Sequence, residues 1–429
     1  MGRRFPHKSF AVSAIGLAAV ALALTFGVSG AQAAAGFNDW WEIWESGGSG
    51  ARALAIQPDG KIVASGGSML ARYTSSRGHS DASFGNGGAV TTDFFSATVA
   101  IQPDGEIVVA GDSDAQGLRS DFALARYTKN GALDTSFGTS GTVLTDFDSA
   151  SDDFATAVAI QPDGKIVVAG FSHAHGRNSD FALARYTASG KLDEGFGAGG
   201  KVLTGFGPSA SGEAYGVAIQ PNGRIVVLGS TTGHKLNKFA LTRYTTSGTL
   251  DKSFGSGGKV LTGFRHSKNS SAKGVAIQKN GKIVAVGHTH HAKRDYFALA
   301  RYTRRGKLDP RFGTDGRVLT GFGTSIGDAC AVAIQPDGKI VAAGSSRWSG
   351  YRRADVDCHG DNIALARYTT SGKLDKGFGK GGRMDEHFEL GSYYGAEDAA
   401  AVAIQPNGGI VTAGTRIGTK FLLARYFGR

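Results

Sequence analysis

One phrase governs what this chain can fold into. A short apolar strand ending in Ile-Gln, a tight turn and a second apolar run recur seven times, marked by Gln57, Gln102, Gln161, Gln220, Gln278, Gln335 and Gln405. The spacings run from 45 to 70 residues, so a fixed unit accepts insertions and deletions at particular places, which are loops. Written from Ala157, one unit reads as four strands. Ala157 to Gln161 turns through Pro162-Asp163-Gly164 into Lys165 to Gly170; the proline presets φ and the glycine accepts positive φ. After a variable loop come Phe181 to Tyr186, a fixed connector from Lys191 to Gly197, and Lys201 to Thr204.

Helical periodicity is absent, and the second strand is apolar on both faces, the mark of a sheet covered on both sides. Small sheets stacked radially provide that situation. The expected fold is all-β, a seven-bladed β-propeller of four-stranded antiparallel blades. A linear solenoid is the competing architecture, but its coils are shorter and its ends need caps. The chain stops at Ala424-Arg425-Tyr426, before a seventh outer strand, and Trp40-Trp41-Glu42-Ile43-Trp44 precedes the first unit without a unit of its own. The reading is therefore closure by an N-terminal strand, near 40–44, in the last blade.

Composition agrees. The 429 residues include 66 glycines, 41% hydrophobic residues, 9 prolines and 2 cysteines. That excludes a disordered chain, a collagen and a disulfide scaffold.

Residues 1–33 carry Arg3, Arg4 and Lys8, an apolar run from Phe10 to Val28 and the small-x-small site Ala31-Gln32-Ala33. This reads as a secretory signal peptide, the alternative being an uncleaved anchor. The expectation is one propeller domain over 34–429, with repeats over 51–429, secreted or held at the cell surface, monomeric and without a transmembrane span after cleavage. Formal net charge is +11 for the whole chain and +8 without those first 33 residues. Spread through repeats, that charge falls short of a specific nucleic-acid footprint and fits an anionic envelope polymer, a glycan or a protein as partner.

The phrase Ala-Ile-Gln-Pro-Asp-Gly-Lys-Ile-Val-Val-Ala-Gly, with Phe-Ala-Leu-Ala-Arg-Tyr and Leu-Asp-x-x-Phe-Gly, resembles the delta-60 repeat family of secreted bacterial β-propeller-like proteins over residues 51–429. The resemblance implies a propeller and no catalytic residue or cofactor. Lys279-Asn280-Gly281 departs from the usual Pro-Asp-Gly.

The turns and connectors that repeat lie on one face of such a ring, and the loops that vary lie on the other, where a ligand site is expected. Its loops are acidic in units two and three (Asp112, Asp114, Asp121, Asp146, Asp148, Asp152, Asp153) and basic in units four to six (Lys235, Lys238, Arg265, Lys268 and others). The ligand-binding candidates are Arg347, Trp348, Tyr351, Arg352, Arg353, Lys293 and Arg294, because an aromatic pair among arginines suits a glycan or protein. His288, His290 and His291 have the residue type for a metal but no fixed spacing, so no metal is assigned to them. The acidic loop Asp146 to Asp153 lacks the glycine-centred pattern of a dedicated calcium loop.

The arginines of Ala-Arg-Tyr, beside Asp134, Asp193, Asp251, Asp309 and Asp375, read as a repeated structural ion pair. Arg425 has no such connector. Cys330 and Cys358 fall in one unit and bond if their Cα atoms come within about 7 Å; the intervening strand sets them about 10 Å apart unless the loop folds back. No nucleophile with a base, carboxylate pair or metal triad stands out. A binding module leads, ahead of a secreted lyase or hydrolase with its site at the axial channel mouth, and of a structural or adhesive surface protein.

Overall fold

A computed structural model describes residues 38–45, 50–76, 78–114, 119–174, 178–233, 236–291, 294–323, 326–347, 360–386, 398–416 and 420–427. The chain divides into Met1–Ala35 and Gly36–Arg429; the first of these, with the expected signal segment, lies outside the described residues. The second is all-β and built of antiparallel sheets.

A typical sheet is that of the fourth repeat, where Ser211–Ile219 pairs with Ile225–Thr232, that strand with Lys238–Tyr244, and that in turn with Lys259–Thr262. The turns form as their residues demand. Gln161 N donates to Lys165 O at 2.8 Å, Gly164 closes the turn at φ +81°, and Asp163 Oδ1 accepts from Lys165 N. Both middle strands are buried on both faces, because each sheet packs between two others. One apolar cluster fills each interface: Val226, Leu228 and Leu241 of the fourth repeat meet Ile283, Ala285 and Tyr302 of the fifth. Buried tyrosines add a bond across these interfaces, with Tyr186, Tyr244, Tyr302 and Tyr368 donating to Thr145, Thr204, Thr262 and Thr320 of the preceding repeat at 2.7–2.8 Å.

Among the described residues the strands pair into six sheets, not seven four-stranded ones: five have four strands and one has six. The cause is the short spacing between Gln57 and Gln102. With no loop to separate them, the second and third strands of the first repeat run on as Ile62–Tyr73. Its outer strand likewise continues into the next repeat's inner strand as Ala89–Ile101. Asn38–Glu45 pairs antiparallel with Lys420–Tyr426, setting Trp41 opposite Ala424 and Trp44 opposite Phe421.

The inner strands neighbour one another in a cycle that returns from Ala401–Ile404 to Ala53–Ile56. Ala51, Ile62, Ala64 and Tyr73 of the first repeat pack with Val411, Ala413, Phe421 and Leu423 of the last. The first and last repeats are thus in contact, and the inner strands surround an axis.

Candidate functional site

The residues that repeat do structural work. Arg185 Nε lies 2.9 Å from Asp193 Oδ2, its guanidinium stacks on Phe196 at 4.4 Å, and its Nη1 donates to Thr246 O of the next repeat. Arg72, Arg126, Arg243 and Arg301 repeat the arrangement, reaching Lys129 O, Ala188 O, Arg304 O and Thr370 O. Asp81 is a member of this set that the sequence reading left out; it lies 2.8 Å from Arg72 Nε. Burial pushes Asp251 up, but hydrogen bonds from Ser253 and the charges of Arg243 and Arg224 outweigh it and hold the carboxyl down, to about 2.

Arg425, lacking a connector, donates instead to Ser75 O, Ser76 O and Gln405 Oε1. The marker glutamine joins the same network: Gln220 Oε1 accepts from Arg243 and its Nε2 donates to Gly281 O of the next repeat. Gln405 Nε2 donates to Gly60 O of the first repeat.

Non-repeating chemistry begins higher on the inner strands. Five of them carry one extra residue, a β-bulge, at Ala97, Thr156, Tyr215, Lys273 and Cys330; in the other two, Arg52 and Ala400 hold the same sequence position just before the strand. The glycine of the second strand makes the bulge fit. A Cβ on Gly111, Gly170, Gly229, Gly287 or Gly344 would sit 1.9 Å from the facing inner-strand carbonyl oxygen. A bulge re-aims one side chain, and here that side chain differs from repeat to repeat within an otherwise uniform frame.

These side chains meet across the repeats. Lys273 Nζ lies 3.4 Å from the ring centre of Tyr215, and Tyr215 Oη donates to Glu213 Oε2 at 2.5 Å. Phe154, Phe171 and Tyr215 continue the surface as tilted neighbouring rings, 5.0 and 6.5 Å apart. Thr156 Oγ1 donates to Ala214 O at 2.8 Å, and Arg52 stacks on Phe95 at 4.6 Å. Burial pushes the Asp112 carboxyl up to about 6, against the pull of Arg52 and with the push of Asp114. Such neighbouring aromatic, cationic and acidic groups, brought together across adjacent repeats, can bind a ligand by stacking and hydrogen bonding. Nothing in the periodic phrases announced it. The signal available was the one column of the inner strand that refuses to repeat.

The expected site residues scatter. Trp348, Tyr351, Arg352, Arg353, Lys293 and Cys358 lie outside the described residues. Arg347 ends Ile340–Arg347 opposite Ile326, and Arg294 begins Arg294–Tyr302 and donates to Gly323 O at 3.1 Å. His288 Nδ1 lies 3.2 Å from Asp328 Oδ1 of the next repeat, His290 Nδ1 lies 2.8 Å from Asp295, and His291 stacks edgewise on Tyr296. The three imidazoles thus go to three different partners. Cys330 is not a free thiol.

Asp121, Asp146 and Asp153 bring carboxylate oxygens within 4.8 Å of one another. Burial, with the neighbouring carboxylates, pushes Asp121 and Asp153 up. Asp153 is already bonded to Phe147 N and Ser151 Oγ. A cavity of about 1050 Å³ opens not on the variable face but among the Gln-Pro turns, lined by Ile56, Ile101, Gln278, Lys279, Gln335 and Pro406 among others.

Residues 102–137, 161–196, 220–254, 278–312 and 335–355 match a family described as "Domain of unknown function (DUF5122) beta-propeller". No curated protein matches the chain. Among solved structures, the WD40 β-propeller domain of Doa1 superposes with a TM-score of 0.52 at 7% identity, over 90% of this chain and 96% of that one. The polysaccharide lyase Uly1 does so with a TM-score of 0.50 at 12% identity, over 90% and 91%. A catalytically inactive virginiamycin B lyase from Staphylococcus aureus, with quinupristin, gives 0.49 at 12%, over 90% and 99%. At such identities the likeness is one of fold. Five stretches of the chain thus match the repeats of a β-propeller family.

Proposed function

We propose that this chain is a secreted binding module of seven repeat units, a member of the delta-60 group, with Asn38–Glu45 completing the last blade. On this count the six-stranded sheet is two blades run together. The module grips an extracellular polymer or protein with the end of the axis where the bulges lie. One observation carries the reading: the turn and arginine clamp recur through the repeats while the position five before each marker glutamine reads Arg52, Ala97, Thr156, Tyr215, Lys273, Cys330 and Ala400. A purely structural ring has no need of that variety. The cleaved leader at 1–33 and a bond from Cys330 to Cys358, tying the 345–362 insertion beside the ring, complete the proposal.

The test is an array of extracellular glycans and proteins probed with the mature chain, followed by Arg52→Ala and Tyr215→Ala. Binding that falls at least ten-fold with an unchanged thermal midpoint supports the reading. Binding indifferent to both substitutions overturns it. The enzyme reading draws on the Tyr215–Glu213 hydrogen bond beside Lys273, groups able to move a proton; lyase or hydrolase turnover abolished by Tyr215→Phe would favour it instead.

A further inference from the structure

On the opposite face the fifth repeat departs from its sisters at several positions, and its departures share a sign, although asparagine also stands for the turn aspartate at Asn222 and Asn407. After Gln278 stand Lys279-Asn280, where other repeats have Pro58-Asp59, Pro162-Asp163 and Pro336-Asp337. In the same repeat's connector stand Arg304-Arg305, where its two neighbours have Thr246-Ser247 and Thr370-Ser371. Arg311 replaces their Ser253 and Gly377.

The fold brings turn and connector together. Arg304 Nε donates to Asn280 O at 2.5 Å, and its side chain covers Gly281. Two cavities, of about 1050 and 450 Å³, meet at Asn280 and Lys282; the smaller is lined further by Thr303, Arg304, Arg305 and Lys307. Lys279, Arg304, Arg305 and Lys307 are exposed. The nearby acids are already engaged, Asp309 by Arg301 and Lys282 at 2.9 and 2.7 Å, and Asp337 by Lys339 at 3.4 Å.

The clamp shared with the other repeats does not depend on these cations: it uses Arg304 through its backbone oxygen, which accepts from Arg243 just as Thr246 O accepts from Arg185 and Thr370 O from Arg301, whereas the Arg304 side chain bonds Asn280 O and Lys279 Nζ donates to Pro336 O at 3.3 Å. Burial lowers the Arg243 pKa, and the like charges of Arg224 and Arg305 add to that effect. This is a cost the neighbouring repeats avoid with serine at the position of Arg305.

We propose that this turn and connector of the fifth repeat bind a polyanionic glycan, with Lys279, Arg304 and Arg305 meeting its acidic groups and the axial cavity receiving a sugar unit. Concentrated charge beside a cleft attracts a polyanion. Among the described residues neither cavity is lined by an aromatic side chain on which a nucleobase could stack, so single-stranded nucleic acid lacks its usual platform among them. The site lies on the face away from the bulge ring and stands or falls apart from it.

Heparin is the probe, titrated against the mature chain at several salt concentrations. The test variant combines Lys279→Pro, Asn280→Asp, Arg304→Thr and Arg305→Ser, each the residue a sister repeat carries, so the turn and clamp are kept. Heparin affinity falls at least ten-fold, and the slope of log affinity against log salt drops by roughly one for each cation lost. A control with Lys191→Thr, Lys252→Ser and Lys373→Thr, which removes scattered charge, binds like the parent, and Tyr215→Ala leaves heparin binding intact. Unchanged affinity in the test variant, equal loss in the control, or tighter binding of single-stranded DNA than of heparin each overturns the proposal.

Discussion

Glu106 is the one place where the repeated charge network carries the wrong sign. In five other repeats the same position is a cation reaching the connector aspartate: Lys61 to Asp81 at 3.0 Å, Lys165 to Asp193 at 2.9 Å, Arg224 to Asp251 at 2.6 Å, Lys282 to Asp309 at 2.7 Å and Lys339 to Asp375 at 3.2 Å. In the second repeat a carboxylate takes that place. Burial raises the Glu106 pKa against the pull of Arg126, and Asp104 and Asp134 raise it further. Glu106→Lys should therefore stabilise the fold. The Lys165 and Lys339 side chains are about a third exposed (36%), so the new pair contributes only about 0.5–1 kcal/mol after solvent screening. Relief of the carboxylate crowding adds a similar amount, for a total of about 1–2 kcal/mol. At about 2 cal/mol/K of unfolding entropy per residue, a chain of this size moves by only about 1–2 °C, so the urea midpoint is the better readout.

The pH dependence separates the two contributions. A raised carboxyl pKa means the folded protein holds that proton more tightly, so Glu106 costs nothing at low pH and costs stability as pH rises past the ordinary glutamate range. Asp134 is held low, first by hydrogen bonding from Ser136 and also by Arg126, so its pairing persists until pH falls below the ordinary aspartate range. The gain from Glu106→Lys is thus larger at pH 7.5 than at pH 4, and Lys165→Glu in the third repeat loses a similar amount. A midpoint unchanged or lowered at pH 7.5, or a gain equal at both pH values, would refute the reasoning.

Other consequences follow from the same packing. Tyr244→Phe removes the bond to Thr204 Oγ1 from an interface where both residues are buried and should cost about 1–2 kcal/mol in urea unfolding. Gly229→Ala sets a Cβ 1.9 Å from Glu213 O, so the bulge must shift, at a cost of about 2 kcal/mol or more, read as a lower thermal midpoint. Deleting residues 34–46 removes the strand paired with Lys420–Tyr426 and should lower stability by several kcal/mol, at about 1 kcal/mol per hydrogen bond; an unchanged midpoint would leave that strand without a structural role. Thiol titration of the unfolded, unreduced chain should find no free cysteine if Cys330 and Cys358 are bonded.

Much of this architecture was legible because repetition repeats its physics. Phe181 to Tyr186 and Ile166 to Gly170 announce strands covered on both faces, and Pro162-Asp163-Gly164 fixes the turn between them. The arginine clamp could be read from Arg185 and Asp193 in the same way. The merger of two repeats into one sheet could not. It depends on whether the chain breaks or runs on when a loop vanishes: Ile62–Tyr73 contains the turn pair Gly66-Gly67, with Gly67 at φ +58°, and still runs on, while Ala89–Ile101 carries no proline or glycine pair. Nor could the bulge, whose glycine reads as one more small residue until the carbonyl of Phe154 is seen against Gly170.

That bulge explains how such a repeat can be both rigid and specific. Side chains that bury both faces of the middle strands, clamp the connector or cap the turn are bound by the same packing in every copy, so a change there costs stability. The bulge residue has more latitude within those constraints, because it has no ladder partner of its own, and its side chain differs from repeat to repeat. The turn at Lys279 escapes them for another reason. Proline there supplies only a preset φ, and the 2.7 Å bond from Gly281 N to Gln278 O closes the turn without it. Both places can therefore take up charge or an aromatic ring at little cost to the fold, which is why ligand chemistry is to be sought there and not along the strands that repeat.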